Sequence, residues 1–333
     1  MPKSFILPPI MFLVIFSLFS CAHSPPPLAI RGELLFSTDR LIKQNLTRHL
    51  TVLTKEIGSR SIYEEEKLGA AAGYIEGEFT AMDLVVRRQE YQASGRNAVN
   101  IIAHGKNFDP SQPALLLGAH YDTVPRTPGA DDNASAVAVL LETTRKVITG
   151  SPGNISNILF VAFSTEEPPS FGTNEMGSRV FVSALGDQEY SVGGALILEM
   201  VGYFDHRPGT QQIPPGVDLP EIGNAGDFLA LIADGQSAAL AERTLAGYRR
   251  SPSRLEAVLM VFSEPEGQVA ELIRLSDHSS FWDAGIPSVM VTDTAFLRNP
   301  NYHRGTDRMS TLSIPAMENV VRGMAAALMA DER

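Results

Sequence analysis

The 333-residue chain is 44% apolar and carries 38 acidic against 27 basic residues, enough hydrophobic content for a large α/β core and too much for a disordered protein. It has no cluster of Lys and Arg with interleaved aromatics of the kind a phosphate backbone requires, which argues against nucleic acid as a partner. The acidic balance describes a solvated surface and bears on neither fold nor substrate.

The N-terminus opens with a short, weakly positive segment, Met1 to Lys3, followed by an apolar run over residues 5–19 broken only by Pro8, Pro9 and Ser17. The run is shorter than the roughly 20 residues of a membrane span and suits the core of a signal peptide. It ends in Leu18-Phe19-Ser20-Cys21, ahead of a Ser/Pro-rich stretch over 24–27, and Cys21 is the only cysteine, so no intramolecular disulfide forms. A lone cysteine in this place resembles the lipobox of bacterial lipoproteins, in which the cysteine takes a diacylglyceryl group and becomes the mature N-terminus. Phe19 departs from the usual residue there. Ordinary cleavage near residues 22–24 and an uncleaved anchor are the alternatives, and all three place the remainder outside the cytoplasm. The organisation expected is a signal peptide over 1–21, a linker over 22–32 and a single domain over 33–333, held at the membrane of a bacterial cell envelope by lipidated Cys21.

Beyond the linker, apolar residues at spacings of three and four predict helices over 38–57 and 64–82. Short apolar runs flanked by Gly, Asp and Pro predict strands over 97–103 and 114–119. A helix over 134–148, a buried strand over 158–163, a helix over 177–184 and extended segments over 195–200 and 228–233 follow. Helices over 238–248 and 279–284, a strand over 288–292 and a closing amphipathic helix over 315–329 complete the order, and the Pro/Gly-rich segment 207–226 reads as a long surface loop. Apolar strands alternating with longer helices predict a mainly parallel sheet covered on both faces.

In such sheets ligands bind beyond the carboxyl ends of the strands, and the chain's His, Asp and Glu residues fall there. His120 follows Leu115-Leu116-Leu117-Gly118-Ala119, Glu166 and Glu167 follow the 158–165 run, and Glu199 ends Ala195-Leu196-Ile197-Leu198. Asp131 and Asp132 sit in Pro128-Gly129-Ala130-Asp131-Asp132-Asn133, a turn that opens the helix at Ala134. Zinc takes imidazole nitrogen and carboxylate oxygen, and two zincs close together need a bridging carboxylate with about two terminal ligands each.

Five motifs in order, His120-Tyr121-Asp122, Gly129-Ala130-Asp131-Asp132-Asn133-Ala134-Ser135, Thr165-Glu166-Glu167, Glu199-Met200-Val201-Gly202-Tyr203 and Tyr302-His303, resemble those of the co-catalytic zinc aminopeptidases. That family includes bacterial leucyl aminopeptidases, glutamate carboxypeptidase II and the one-zinc glutaminyl cyclases, and the resemblance runs from about Arg48 to the C-terminus. It implies a three-layer α/β/α fold with a mixed, mainly parallel central sheet, and a metallopeptidase that uses two zinc ions (Zn2+) to hydrolyse peptides, most simply an aminopeptidase. It further implies that Asp131 bridges the metals, that His120 and Glu199 complete one site, and that Glu167 and His303 complete the other. Glu166 would be the general base, Asp122 would orient His120 through its second ring nitrogen, and Tyr302 would donate a hydrogen bond to the developing oxyanion. In the family the peptide bond between the two aspartates is commonly cis.

The chain departs from many members in having Glu199 where they have aspartate, and in a longer segment after the glutamates, Pro168-Pro169-Ser170-Phe171-Gly172-Thr173-Asn174-Glu175-Met176-Gly177-Ser178, like that of an uncharacterised bacterial branch. Two other functions compete: a glutaminyl-cyclase-like acyltransferase with one zinc, and a binding lipoprotein on a retired peptidase scaffold. The presence of Glu166 and of all five ligands favours hydrolysis. Simpler roles exist for single residues. Asp131 and Asp132 are good helix caps, Asp277-His278 suits either a substrate-facing position or a cap on the 279–284 helix, and His23, His104 and His206 read as ordinary polar residues. Trp282, Phe281 and Phe296 belong to the core or to a side-chain pocket. Whether N-termini or C-termini are trimmed stays open.

Overall fold

The computed structural model describes residues 28–150, 157–187, 191–215, 217 and 223–330; the expected signal peptide and Cys21 lie outside the described residues. The chain divides into residues 1–38 and 39–333, and the second unit carries the sheet and the candidate site. Among the described residues no helix is long and apolar enough to cross a membrane.

Among the described residues ten strands run as β1 (Val85–Ala93), β2 (Arg96–His104), β3 (Ala114–His120), β4 (Ile158–Phe163), β5 (Val192–Glu199), β6 (Asp205–Pro208), β7 (Ala225–Gly226), β8 (Phe228–Asp234), β9 (Glu256–Phe262) and β10 (Ser288–Thr292). The helices are α1 (Leu28–Thr51), α2 (Glu65–Ala81), α3 (Ala136–Gly150), α4 (Gly177–Ser183), α5 (Ala238–Arg249), α6 (Gly267–Leu272), α7 (His278–Asp283) and α8 (Ile314–Ala330). Eight strands make one sheet in the order β1-β2-β4-β3-β5-β10-β8-β9. The four central strands β4, β3, β5 and β10 are mutually parallel, while β1, β2 and β8 pair antiparallel to their inner neighbours.

Burial on both faces explains why the central strands read as unbroken apolar runs. Alternate residues go to opposite layers. Leu117, Ala119, Phe160, Leu196 and Leu198 join the core beneath α2, α3, α5 and α8. Leu116, Leu159, Val161, Phe163 and Ile197 meet Phe181 of α4 and Phe281 of α7 on the other side. The result is the three-layer α/β/α arrangement with a mixed, mainly parallel sheet.

Most elements stand within a few residues of their sequence expectation, and the exceptions have physical reasons. Strands β1 and β9 close the two ends of the sheet, and β1 is largely exposed and charged, with Arg87, Arg88 and Glu90, so it offers no apolar run. The expected loop over 207–226 is flanked by a short antiparallel ribbon, Asp205 opposite Gly226 and Pro208 opposite Ala225. The helix expected from 134 is preceded by an irregular turn, Ala130–Ser135, in which Asp132 and Asn133 leave helical geometry.

One buried polar knot fastens the Asn45–His49 part of α1 to this core. The His49 ring shares hydrogen bonds with the Tyr74 hydroxyl at 2.6 Å and with Glu142 at 3.2 Å, and Glu142 also accepts from Asn45 and Arg145. Burial lowers the pKa of His49 below its ordinary value although Glu142 pulls the other way. The unfolded chain therefore takes up a proton near pH 6.5 that the folded His49 refuses, so this residue costs stability as pH falls below that value. Thermal unfolding in a metal chelator at pH 7 and pH 5 checks it: the midpoint of His49→Gln falls by less over this interval than that of the wild type, and equal slopes contradict the assignment.

Candidate metal centre

The strand order places the site. From β3 the chain passes through α3 to β4 on one side, then returns past β3 to β5 on the other, which opens a crevice above the carboxyl ends of β3 and β5. His120 is the last residue of β3, and Glu199 the last of β5. The register pairs Gly118 with Ile197, so His120 and Glu199 stand side by side two residues later, on the same face. After β4 the chain turns sharply at Thr165, whose φ is 56°. This conformation is unusual for a β-branched residue, and here the Thr165 hydroxyl donates to the Glu175 carbonyl and meets the Tyr91 hydroxyl at 2.8 Å. Glu166 and Glu167 follow at once.

Two groups of metal-ligand type form there, His120 with Asp132 and Glu199, and Asp132 with Glu167 and His303, each with its donor atoms within 4.8 Å of one another. His120 Nε2 lies 3.3 Å from Glu199 Oε2 and 3.6 Å from Asp132 Oδ1. His303 Nε2 lies 3.1 Å from Asp132 Oδ2 and 3.2 Å from Glu167 Oε2. One carboxylate, that of Asp132, thus offers one oxygen to each group.

This corrects the expectation for Asp131. Its carboxylate belongs to neither group: Oδ1 accepts from the Gly202 amide at 2.9 Å and Oδ2 from the Asn299 side chain at 2.6 Å. Adjacent side chains in the irregular turn point apart, so only one of the two aspartates faces the crevice. The cis peptide bond is likewise displaced by one residue and lies between Asp132 and Asn133.

The remaining residues sort by position. Asp122 accepts from the Glu166 and Glu167 amides at 3.0 and 3.1 Å, with Oδ1 3.3 Å from His120 Nδ1, so it stands behind the ring. Glu166 reaches within 3.8 Å of His120 Nε2 while belonging to neither group. The Tyr302 ring stacks on that of His303 with centroids 3.7 Å apart. The longer side chain of Glu199 is fixed by the Ser276 hydroxyl at 2.7 Å.

Asp277 is fully buried, and its charge interacts with those of His120 and Glu199. Its neighbour His278 turns away to the Ile273 carbonyl at 2.7 Å. Phe281 is core, Trp282 donates to Ser237 and Ser288, and Phe296 lines an apolar cavity beside Glu199. His206 pairs with Asp227 at the surface, and His104 meets the Gly105 carbonyl.

Several contributors were not legible beforehand. The Arg60 guanidinium, fully buried beneath the site, donates to the carbonyls of Leu53, Gly58, Tyr121, Pro128 and Gly129. Nothing in the sequence around it signals this. Asp307, four residues after His303, accepts the amides of Asp131 and Asp132; its closeness to a candidate ligand was the available clue.

Crowding of acids in a water-poor crevice controls their protonation. Burial, reinforced by Asp132, pushes Glu167 up to about 8, and burial raises Glu166 well above the carboxylate range. Against the cost of burial, hydrogen bonds to Asp132 and Glu167 hold His303 protonated up to about 10. A cation would relieve this stress. His120 Nε2 and Glu167 Oε1 are moreover buried without hydrogen-bond partners, and imidazole with carboxylate is the donor set that zinc takes. The residues fit a metal.

Comparison with known proteins agrees. A model of peptidase family M28 matches residues 100–328. The chain belongs to peptidase family M28. As a member it is a hydrolase of the peptidase class. It is 33% identical over 294 residues to the uncharacterized protein YfbL of Escherichia coli, covering 86% of this chain and 87% of that one. The probable lipoprotein aminopeptidase LpqL of Mycobacterium tuberculosis is 28% identical over 75% of this chain and 47% of its own length. In structure, a zinc aminopeptidase from Bacillus subtilis superposes with a TM-score of 0.66 at 16% identity, covering 87% of this chain and 95% of that one, which is a likeness of fold.

The different surroundings of the two aspartates give a test. Asp132→Asn should lower metal content at both groups, measured by elemental analysis after dialysis. Asp131→Asn should keep most of the metal and lose thermal stability instead, by roughly 1–3 kcal/mol for a disturbed buried hydrogen-bond network.

Proposed function

We propose that this M28 peptidase is a zinc-dependent aminopeptidase whose two metal ions are held by His120, Asp132 and Glu199 and by Asp132, Glu167 and His303. The observation that carries the reading is the sharing of one carboxylate between two donor groups, beside a cavity for an apolar side chain. Zinc bound there supplies Lewis acidity toward water and toward the scissile carbonyl. Glu166, left free by both groups, takes the proton of the attacking water and passes it to the departing amine. A buried carboxyl with raised proton affinity suits a group that must do both. The Tyr302 hydroxyl donates to the developing oxyanion, and Asp122 keeps the His120 ring and the two glutamate amides in place.

Action at the N-terminus follows from charge and shape. Glu199 lines the cavity, and its charge acts together with those of Glu166 and buried Asp277, an acidic environment suited to a free α-ammonium. The cavity beyond Glu199 is lined by Phe228, Ile232, Met260, Leu272, Met290 and Phe296 among others, so apolar N-terminal residues are the preferred substrates. A one-zinc acyltransferase needs one donor group only, and a retired scaffold has no use for Glu166; two complete groups and the retained base favour hydrolysis.

We further infer that the chain works outside the cytoplasm, anchored through a lipidated Cys21. The leader pattern supports this, as does the likeness to LpqL.

Three measurements test the reading. Zinc content near two per chain is expected, with turnover of free dipeptides bearing apolar N-terminal residues and little turnover of their N-acetylated forms; a single zinc in excess metal, or preference for the blocked peptides, contradicts it. Glu166→Gln should keep its zinc and lose roughly 10²–10⁴ in kcat, whereas Glu167→Gln should also lose metal; near wild-type turnover in Glu166→Gln refutes the assignment of the base. Wild-type protein expressed in bacteria should partition into detergent and Cys21→Ser should not, since two or three acyl chains hold firmly; a soluble wild-type product beginning after Cys21 argues for ordinary cleavage.

A further inference from the structure

The turn that presents Asp132 belongs to no sheet or regular helix, yet it must hold one carboxylate between two donor groups to within a fraction of an ångström. Gly129 begins it with a φ of 56°, and a Cβ there would lie 2.3 Å from the Thr123 methyl carbon, so only glycine fits. The carbonyls of Pro128 and Gly129 point one way, to the Arg60 guanidinium at 2.8 and 2.9 Å. The next amides point the other way. Those of Asp131 and Asp132 both donate to the buried Asp307 carboxylate, at 2.9 Å to Oδ1 and 3.1 Å to Oδ2 respectively.

Asp307 lies on the segment that brings His303, and that segment is sewn to the turn at further points. The Thr127 hydroxyl donates to the Arg304 carbonyl at 2.9 Å, and the Ala130 amide to the Asp307 carbonyl at 3.4 Å. His303 and Asp132, far apart in sequence, therefore share one rigid frame at the position where their side chains meet at 3.1 Å.

We infer that Asp307 is a positioning residue for the metal centre: its carboxylate, gripping the Asp131 and Asp132 amides from the His303 segment, sets the spacing between the shared carboxylate and the His303 imidazole. Arg60 is the counter-anchor, holding the carbonyls at the start of the same turn and lying close enough for its charge to interact with that of Asp307. The role requires a carboxylate. Oδ2 also accepts from the Asp131 amide, at 3.1 Å, so an asparagine oxygen in its place still faces both amides; its N–H₂ then replaces Oδ1, and Asp307→Asn loses the 2.9 Å bond and sets donor against donor at the Asp131 amide while changing neither size nor any metal ligand.

The inference rests on the zinc reading above, and the test keeps the two apart. Metal-free wild type and Asp307→Asn are titrated with zinc against a chromophoric chelator, the thermal midpoints of both metal-free proteins are measured, and kcat and KM are compared at saturating zinc. Expected are a 10–100-fold loss of zinc affinity, the range for groups that support ligands, a metal-free midpoint lowered by no more than about 5 °C, and a fall in kcat with KM changed by less than about twofold. Wild-type affinity in Asp307→Asn overturns the proposal. So does a collapse of the metal-free midpoint that accounts for the lost zinc, which makes Asp307 a structural residue only. Should Asp307→Asn not fold, Asp307→Glu decides by the same titration: an added methylene displaces both acceptors, a loss of at least about tenfold supports positioning on the same scale, and unchanged affinity overturns it. A wild type that binds one zinc refutes the two-metal reading, yet the ratio of affinities between wild type and variant still decides the role of Asp307, while a wild type that binds none overturns both.

Discussion

Carboxylates repel one another most strongly where water is scarce, and this molecule gathers Asp122, Asp131, Asp132, Glu166, Glu167, Glu199, Asp277, Asp293 and Asp307, all buried, at one end of its sheet. The organisation around the site answers that constraint. Three devices share the task. Backbone amides satisfy the acids that face away from the crevice, as the Glu166 and Glu167 amides do for Asp122 and the Gly202 amide for Asp131. Two buried arginines, Arg60 and Arg298, add fixed positive charge. The acids that face inward, Asp132, Glu167 and Glu199, meet His120 and His303, and it is this remaining excess of negative charge that suits a divalent cation.

The sheet makes the crowding possible at little conformational cost. Strands β3, β4 and β5 are parallel and end at the same level, so the residues after them converge without long excursions of the chain. Their interiors are apolar on both faces, which fixes the register, and the register fixes which ends meet. A shift of one residue in β5 would turn Glu199 to the opposite layer. Function is therefore tied to core packing: the alternation that buries Ala195 and Ile197 on one side is the same alternation that aims Glu199 at His120.

The apolar cavity beside Glu199 arises from a different part of the fold. Its walls come from β8, β9, β10 and α6, with residues of the loop at 211–217 and the turn at 294–297, none of which contributes a donor to the metal groups. The metal groups and the cavity thus draw largely on separate elements, which meet at Glu199 and through the ring contact of Phe296 with Tyr302.

Much of this was legible in the residues. The unbroken apolar runs are determined by burial on two faces, so the central strands and the helices between them followed from composition and period alone, and the acids and histidines at the ends of those runs marked the site. The edge strand β1 was not legible, because half its residues face water and its pairing with β2 supplies what its side chains lack. Arg60 was not legible either, since its five partners are carbonyl groups, which every residue has. The sequence by itself determined that two adjacent aspartates stand at the mouth of a parallel sheet; only the tertiary structure decided that Asp132 and not Asp131 faces the crevice. The physical reason is that the turn has no period to read. Its side-chain directions are set by the Asp307 carboxylate, 175 residues along the chain, which holds the Asp132 amide, and by the Gly202 amide, 71 residues along, which holds the carboxylate of Asp131.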